Sequence, residues 1–209
     1  MYLLFVSAFL SVHCIAQSAG SWNGKQAAVV ITYDDAIDEH LDNAIPVLDS
    51  LQLKASFYVT AYAESTKRRL AEWKAIATNG HELGNHGQNH DRVFTFTPDQ
   101  FAADLDRSRK TIEDLGGAAV RGYRAPSFSI GTGNLWALDT LLRAGYRYSS
   151  SIYPVKHDHY GMPDAPRFVH EVRPGLLEVP PTTLRLFDRN LPSSGGGFFR
   201  LLPYSVSRW

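Results

Sequence analysis

A chain of 209 residues is long enough to bury one domain core of ordinary size. Its 21 basic and 21 acidic side chains cancel, which gives no support to a nucleic-acid or acidic-lipid partner, since both favour a basic surface. Hydrophobic residues at 44% and aromatics at 12% exclude a disordered chain.

The first residues differ from the rest. "MYLLFVSAFLSVHCIAQSAG" carries no charged side chain and is apolar from Tyr2 to Val12. Small residues follow at Ala16, Ser18 and Ala19, where a signal peptidase could cut. The run is too short for a membrane span, which needs about 20 residues. The expected organisation is a signal peptide over 1–19 and one domain over 20–209, hence a secreted, periplasmic or cell-envelope protein of bacterial type. A buried first strand or helix is the alternative reading of the leader. The single cysteine, Cys14, lies inside it. Once the leader is removed, disulfides and cysteine-ligated zinc are both excluded, and any metal must be held by histidine and carboxylate.

Strand-like and helix-like segments then alternate. "AAVVITY", Ala27 to Tyr33, is β-branched and apolar and predicts a buried strand. Leu41, Ile45, Leu48 and Leu51 recur at helical spacing, with Pro46 tolerable only near that helix's start. "KASFYVT", Lys54 to Thr60, predicts a second strand, and Leu70, Trp73 and Ala77 a helix that stops at Asn79-Gly80. "GHELGNHGQNH", Gly80 to His90, takes the place of a third strand and the loop leaving it; His81 precedes the strand and reads as structural. Thr97 as N-cap, Pro98 at N1 and Gln100 in a capping box open the next helix, whose apolar face is Phe101, Leu105, Ile112 and Leu115. "VRGYRAPSFS" gives a fourth strand and loop. Leu135, Leu138 and Leu142 mark a fourth helix ending at Gly145, and "YRYSSSIY" a fifth strand. Beyond Pro154 the pattern loosens, through "LLEVPPTTLRLF" to the turn "SSGGG". Such alternation predicts an α/β fold, a parallel sheet or barrel, with functional groups at the C-terminal strand ends.

Three polar clusters follow three of these strands: Asp34-Asp35, His86 to His90, and Arg124. Two adjacent carboxylates ending an apolar strand are costly without ionic partners, although an N-cap role is the simpler reading of either alone. A His-x-x-x-His pair is common on protein surfaces, and no glutamate follows His86 as a zincin motif requires. Two histidines and one carboxylate nevertheless make an open site for zinc or a similar divalent ion, with positions left for water and a substrate oxygen. A metal-bound water needs a base beside it, which would give the second aspartate a task. Arg124 could hold that base ionised and oriented, or form an ordinary surface ion pair.

"TYDD" (Thr32 to Asp35), "HGQNH" (His86 to His90) and "RAPSF" (Arg124 to Phe128) together resemble, in order, three motifs of the polysaccharide deacetylases, the NodB-homology fold of carbohydrate esterase family 4. The resemblance runs from about Ala27 onward. It implies a distorted (β/α) barrel and metal-dependent hydrolysis of N-acetyl groups from amino sugars of a polysaccharide or oligosaccharide. It also implies Asp34 as the base, Asp35, His86 and His90 as ligands of one divalent metal such as zinc, and Arg124 as the residue orienting Asp34. The backbone N–H of Ser127 would help stabilise the oxyanion.

The match departs in places. Gly87 replaces the usual Ser/Thr, Ser127 takes the usual aromatic position with Phe128 displaced by one, and "YSSSIYP" stands where aspartates and a tryptophan are expected. "GYRAPSFSI", "SSIYP" and "LPSSGGGFFRLLPY" are similar to the subgroup associated with exosortase and exopolysaccharide loci. In that subgroup the general-acid histidine lies beyond Trp209, which implies a C-terminally incomplete barrel; His157, His159 and His170 are the late candidates for the role. Two alternatives stay open: a catalytically weak relative that binds glycan or metal, and a small-molecule amide hydrolase on the same fold.

Overall fold

A computed structural model describes residues 24, 25, 27–157 and 160–195. The expected leader, His159 and the glycines that end the "SSGGG" turn lie outside the described residues. The chain divides into two compact units, 1–30 and 31–209. Of the first, 27–30 carry no regular structure, and Val29 and Val30 are exposed. The buried strand expected from Ala27 is therefore shorter. It is β1, Thr32–Asp34, set by the start of its partner β2, Ser56–Val59, in the register Thr32↔Ser56.

The second unit is α/β, as the alternation predicts. Strands β3 (Glu82–Asn85), β4 (Gly122–Tyr123) and β5 (Tyr148–Ser149) follow in parallel register, each beside its predecessor in sequence. The last two strands break the rule. β6 (His170–Arg173) and β7 (Leu176–Glu178) form an antiparallel pair, and it is β7 that joins β5, giving the order β1-β2-β3-β4-β5-β7-β6. Only Pro174 and Gly175 separate the two strands, too few residues for a parallel crossover. A separate hairpin pairs β8 (Thr183–Leu186) with β9 (Arg189–Pro192).

The helices lie between the parallel strands in sequence: α1 (Ile45–Ser50), α2 (Glu64–Arg68), α3 (Leu70–Thr78), α4 (Pro98–Gly116) and α5 (Trp136–Arg143). α4 shows why the chain folds this way. Its capping box is formed, with Thr97 Oγ1 accepting from the Gln100 N–H and Gln100 Oε1 accepting from the Thr97 N–H. Gly117, left-handed at φ 67°, ends it. Phe101, Leu105 and Ile112 on one face are fully buried, worth roughly 1.5–3 kcal/mol each.

Two glycines prepare the site. A Cβ on Gly122 would overlap the ring of Tyr148, and one on Gly84 would lie 2.7 Å from the ring of Tyr58. Missing side chains on neighbouring strands thus let two tyrosines cross the sheet. Tyr58 ends with its ring 4.1 Å from the Arg124 guanidinium carbon.

Candidate active site

The three polar clusters meet at the exits of β1, β3 and β4. Backbone strain marks the same places. Among the described non-glycine residues with positive φ are Asp35 (75°) and Ala36 (56°) after β1, His90 (65°) after β3, and Ser127 (54°) and Phe128 (50°) after β4. Such conformations persist only where the surroundings over-determine them.

Asp35 and the two histidines are drawn together. His86 Nε2 lies 3.3 Å and His90 Nε2 3.2 Å from Asp35 Oδ1. One donor atom from each residue lies within 4.8 Å of the others. Bonds of about 2.0–2.2 Å to a tetrahedral ion would space its ligand atoms about 3.3–3.6 Å apart, so the donor set fits zinc in size and chemistry. Hydrogen bonds from His86, then His90, hold the Asp35 carboxyl well below the usual carboxylate range. His86 is oriented from behind: Nδ1 lies 2.7 Å from the Arg124 carbonyl oxygen and donates to it, which turns Nε2 toward Asp35.

The loop between the histidines is built around Asn85. This buried side chain donates to Ser108 Oγ (2.8 Å) and Tyr146 OH (2.6 Å), while its Oδ1 accepts the Gly87 N–H (2.8 Å). Gly87 stands at φ 81°, a conformation that a glycine reaches without steric cost, which accounts for the departure from Ser/Thr.

Asp34 points to a different partner. Its Oδ1 accepts from Arg124 Nη1 at 2.8 Å, and the same Nη1 lies 2.9 Å from Thr32 Oγ1. Arg124 is nearly buried, and Ser150 takes its other donors: Nε to the Ser150 carbonyl (3.1 Å) and Nη2 to the Ser150 hydroxyl (2.6 Å). The geometry does not match an ordinary surface pair. Ser127 lies on the exposed turn three residues after Arg124. The left-handed pair Ser127-Phe128 brings the displaced Phe128 ring 5.7 Å from the Arg124 guanidinium carbon.

Two supports went unnoticed in the sequence, Ser150 and Glu178. Glu178 is fully buried on β7, and its Oε1 accepts the N–H groups of Ser151 (2.7 Å) and Ile152 (2.8 Å), bracing the turn that grips Arg124. Burial pushes its carboxyl up to about 7. The signal was period-two alternation: in "LLE", Leu176 and Glu178 are buried and Leu177 is not. His81 is structural, as read: Nδ1 accepts the Ala55 N–H and Nε2 faces Asp49. Of the late histidines, His157 stacks on Tyr160, and His170 Nδ1 lies 3.0 Å from the Phe168 carbonyl oxygen.

An α/β sheet with a His-His-Asp cluster and an Arg-held aspartate at its strand exits presents a donor set that could hold a divalent metal beside a second carboxylate. The polysaccharide deacetylase family model matches residues 22–149, and the chain belongs to that family. A model for a domain of unknown function, DUF3473, matches residues 150–209. A peptidoglycan deacetylase of Helicobacter pylori is 27% identical over 152 residues, covering 71% of this chain and 50% of that protein. The uncharacterized protein YlxY of Bacillus subtilis is 33% identical over 92 residues, 44% of this chain and 28% of that one. The chain thus spans half or less of the curated relatives it matches. In fold it resembles a Mycobacterium smegmatis protein described as a polysaccharide deacetylase, with a TM-score of 0.60 and 22% identity over 83% of this chain and 66% of that one.

Proposed function

We propose that the chain is a metal-dependent de-N-acetylase acting on N-acetylated amino sugars of a cell-surface or secreted polysaccharide. The observation that carries this is the pairing of a three-ligand cluster, Asp35, His86 and His90, with a second carboxylate, Asp34, held by Arg124. The uncharged leader over 1–19 supports export of a domain over 20–209 to where such polymers lie.

A divalent ion, zinc by its donor set, would be held by Asp35, His86 and His90 and would acidify a water and polarise the amide carbonyl. Asp34 accepts the proton of the attacking water as general base. Arg124, fixed by Ser150 and Thr32, keeps that carboxylate in one orientation. The Ser127 N–H donates to the carbonyl oxygen as negative charge develops there. His86, committed through Nδ1 to the Arg124 carbonyl, takes no part in proton transfer. Protonation of the leaving amine is assigned to none of these residues. A second reading, binding without turnover, rests on that point, since His170 Nδ1 is turned to the carbonyl oxygen of Phe168, just before its strand.

The test is acetate release from acetylated chitooligosaccharide and from bacterial exopolysaccharide, with and without chelator. Release should stop with chelator, and Asp34→Asn should keep the metal while losing about 10²–10⁴-fold in turnover. Full activity in Asp34→Asn would remove Asp34 as base; glycan binding with no release would favour the second reading.

A further inference from the structure

The face of the sheet that carries the site is stacked in rows, because alternate residues of a strand share a face. Thr32, Ser56 and Glu82 stand level in the first row. Two residues on, Asp34, Tyr58, Gly84, Gly122 and Tyr148 form the next. His86, Arg124 and Ser150 follow two residues further along the same strands.

In the middle row the two glycines separate the two tyrosines, and each ring lies over one of them. The phenols meet there. Tyr58 is hydrogen-bonded to Tyr148 and to Ser150, and Tyr148 also to Glu82. Glu82 in turn accepts the Ser56 hydroxyl at 2.6 Å. A continuous chain therefore runs from Glu82, at the entry end of β3, through Tyr148, Tyr58 and Ser150 to Arg124 and Asp34.

Donor chemistry fixes the direction of this chain. A carboxylate only accepts, so the one phenol hydrogen of Tyr148 goes to Glu82. The Tyr148 oxygen then accepts from Tyr58, and the Tyr58 oxygen from the Ser150 hydroxyl. That leaves Ser150 Oγ to accept from Arg124 Nη2, the contact seen at 2.6 Å. Burial pushes both phenols up, which keeps their hydrogens in place. Each O–H thus turns its positive end toward Glu82 and its negative end toward the guanidinium, and each bond polarises the next. The face of the Tyr58 ring adds a second hold on Arg124, 4.1 Å from its guanidinium carbon.

We infer that Glu82, Tyr148 and Tyr58 are positioning residues that act through Ser150 on Arg124, and so keep the Asp34 carboxylate in the orientation the reaction uses. The task given to Asp34 rests on the proposed deacetylase reading. The chain itself makes Arg124 depend on a carboxylate at the far end of the sheet.

The test pairs turnover with a signal from Arg124 itself. Tyr58→Phe and Tyr148→Phe keep the rings and cut the chain; Glu82→Leu removes its end, and Glu82→Gln restores a neutral acceptor. In the zinc-loaded protein, Tyr58→Phe, Tyr148→Phe and Glu82→Leu should each lower kcat for acetate release about 10-fold. KM and zinc affinity should stay at the parent values, and Glu82→Gln should recover part of the loss. The double variant Tyr58→Phe/Tyr148→Phe should lose no more than the worse single change, since a chain is cut only once. The Arg124 Nε–H resonance, assigned by its loss in Arg124→Lys, should move in Glu82→Leu and Tyr148→Phe, although neither side chain is bonded to Arg124. An unmoved resonance, an unchanged kcat, additive losses, or an equal fall in zinc affinity would each overturn the positioning role. Acetate release from the parent together with any of these results would leave the deacetylase reading standing. A moved resonance in a parent that releases no acetate would retain the chain and remove that reading.

Discussion

At the scale of single residues, the site depends on side chains that touch no substrate. Arg124 can hold Asp34 only because Ser150 fixes its other donors, and Ser150 lies in a turn whose next two N–H groups end on Glu178. Burial keeps that carboxyl protonated up to about 7, against an ordinary 4.5. A raised carboxyl pKa means that the folded chain keeps a proton which the unfolded chain releases. The associated stability is full below about pH 4.5 and is lost as pH rises through about 7. Glu178→Gln keeps an acceptor oxygen and cannot ionise. Its stability should match the parent near pH 4.5 and exceed it above pH 7, by up to about 3 kcal/mol. Denaturant melts of both proteins across that range check this, and parallel pH curves would show that Glu178 does not titrate as described.

At the scale of elements, the glycines of β3 and β4 matter more than their lack of side chains suggests. Tyr148 occupies the space above Gly122, and Tyr58 the space above Gly84, which brings the Tyr58 ring under Arg124. Gly122→Ala should therefore destabilise by about 1–3 kcal/mol or more, because ring and backbone cannot both stay. The double variant with Tyr148→Ala should lose less than the two single changes added together, since they share one contact. Thermal melts of the three variants read this, and strict additivity would show that the rings do not compete for that space.

Several elements were legible because local chemistry specifies them. The capping box at Thr97, the proline at N1 and the 3.6-residue apolar stripe place α4 from sequence alone. Segment 27–30 was not legible. Its β-branched residues satisfy strand preference, but β2 begins at Ser56, and a strand forms only where a partner's backbone is available. The antiparallel turn of β6 and β7 was missed because a buried glutamate broke the apolar pattern of "LLEVPP".

At the scale of the whole molecule, the proposed metal would join exits of β1 and β3, strands not adjacent in the sheet. An ion held only by the folded state stabilises it by mass action, about 2.7 kcal/mol at 100 times the dissociation constant. Zinc at that excess should raise the melting temperature of the parent by several degrees and leave His86→Ala or His90→Ala unmoved. Identical shifts in parent and variants would show that these histidines are not ligands. Among the described residues no helix is long and apolar enough to cross a membrane.

The sequence alone determined the α/β class, the three polar strand exits and the residue types each presents, because apolar periodicity and cap chemistry act over a few neighbouring residues. The motifs had assigned Asp35 to the histidines and Asp34 to Arg124; only the tertiary structure shows how two adjacent carboxylates come to face different partners. Left-handed backbone at Asp35 and Ala36 separates the two carboxylates, and no local pattern specifies that turn. The fold also placed Glu178 behind Ser150 and brought Tyr58 to Tyr148 across two glycines, contacts that arise only when distant strands are laid side by side.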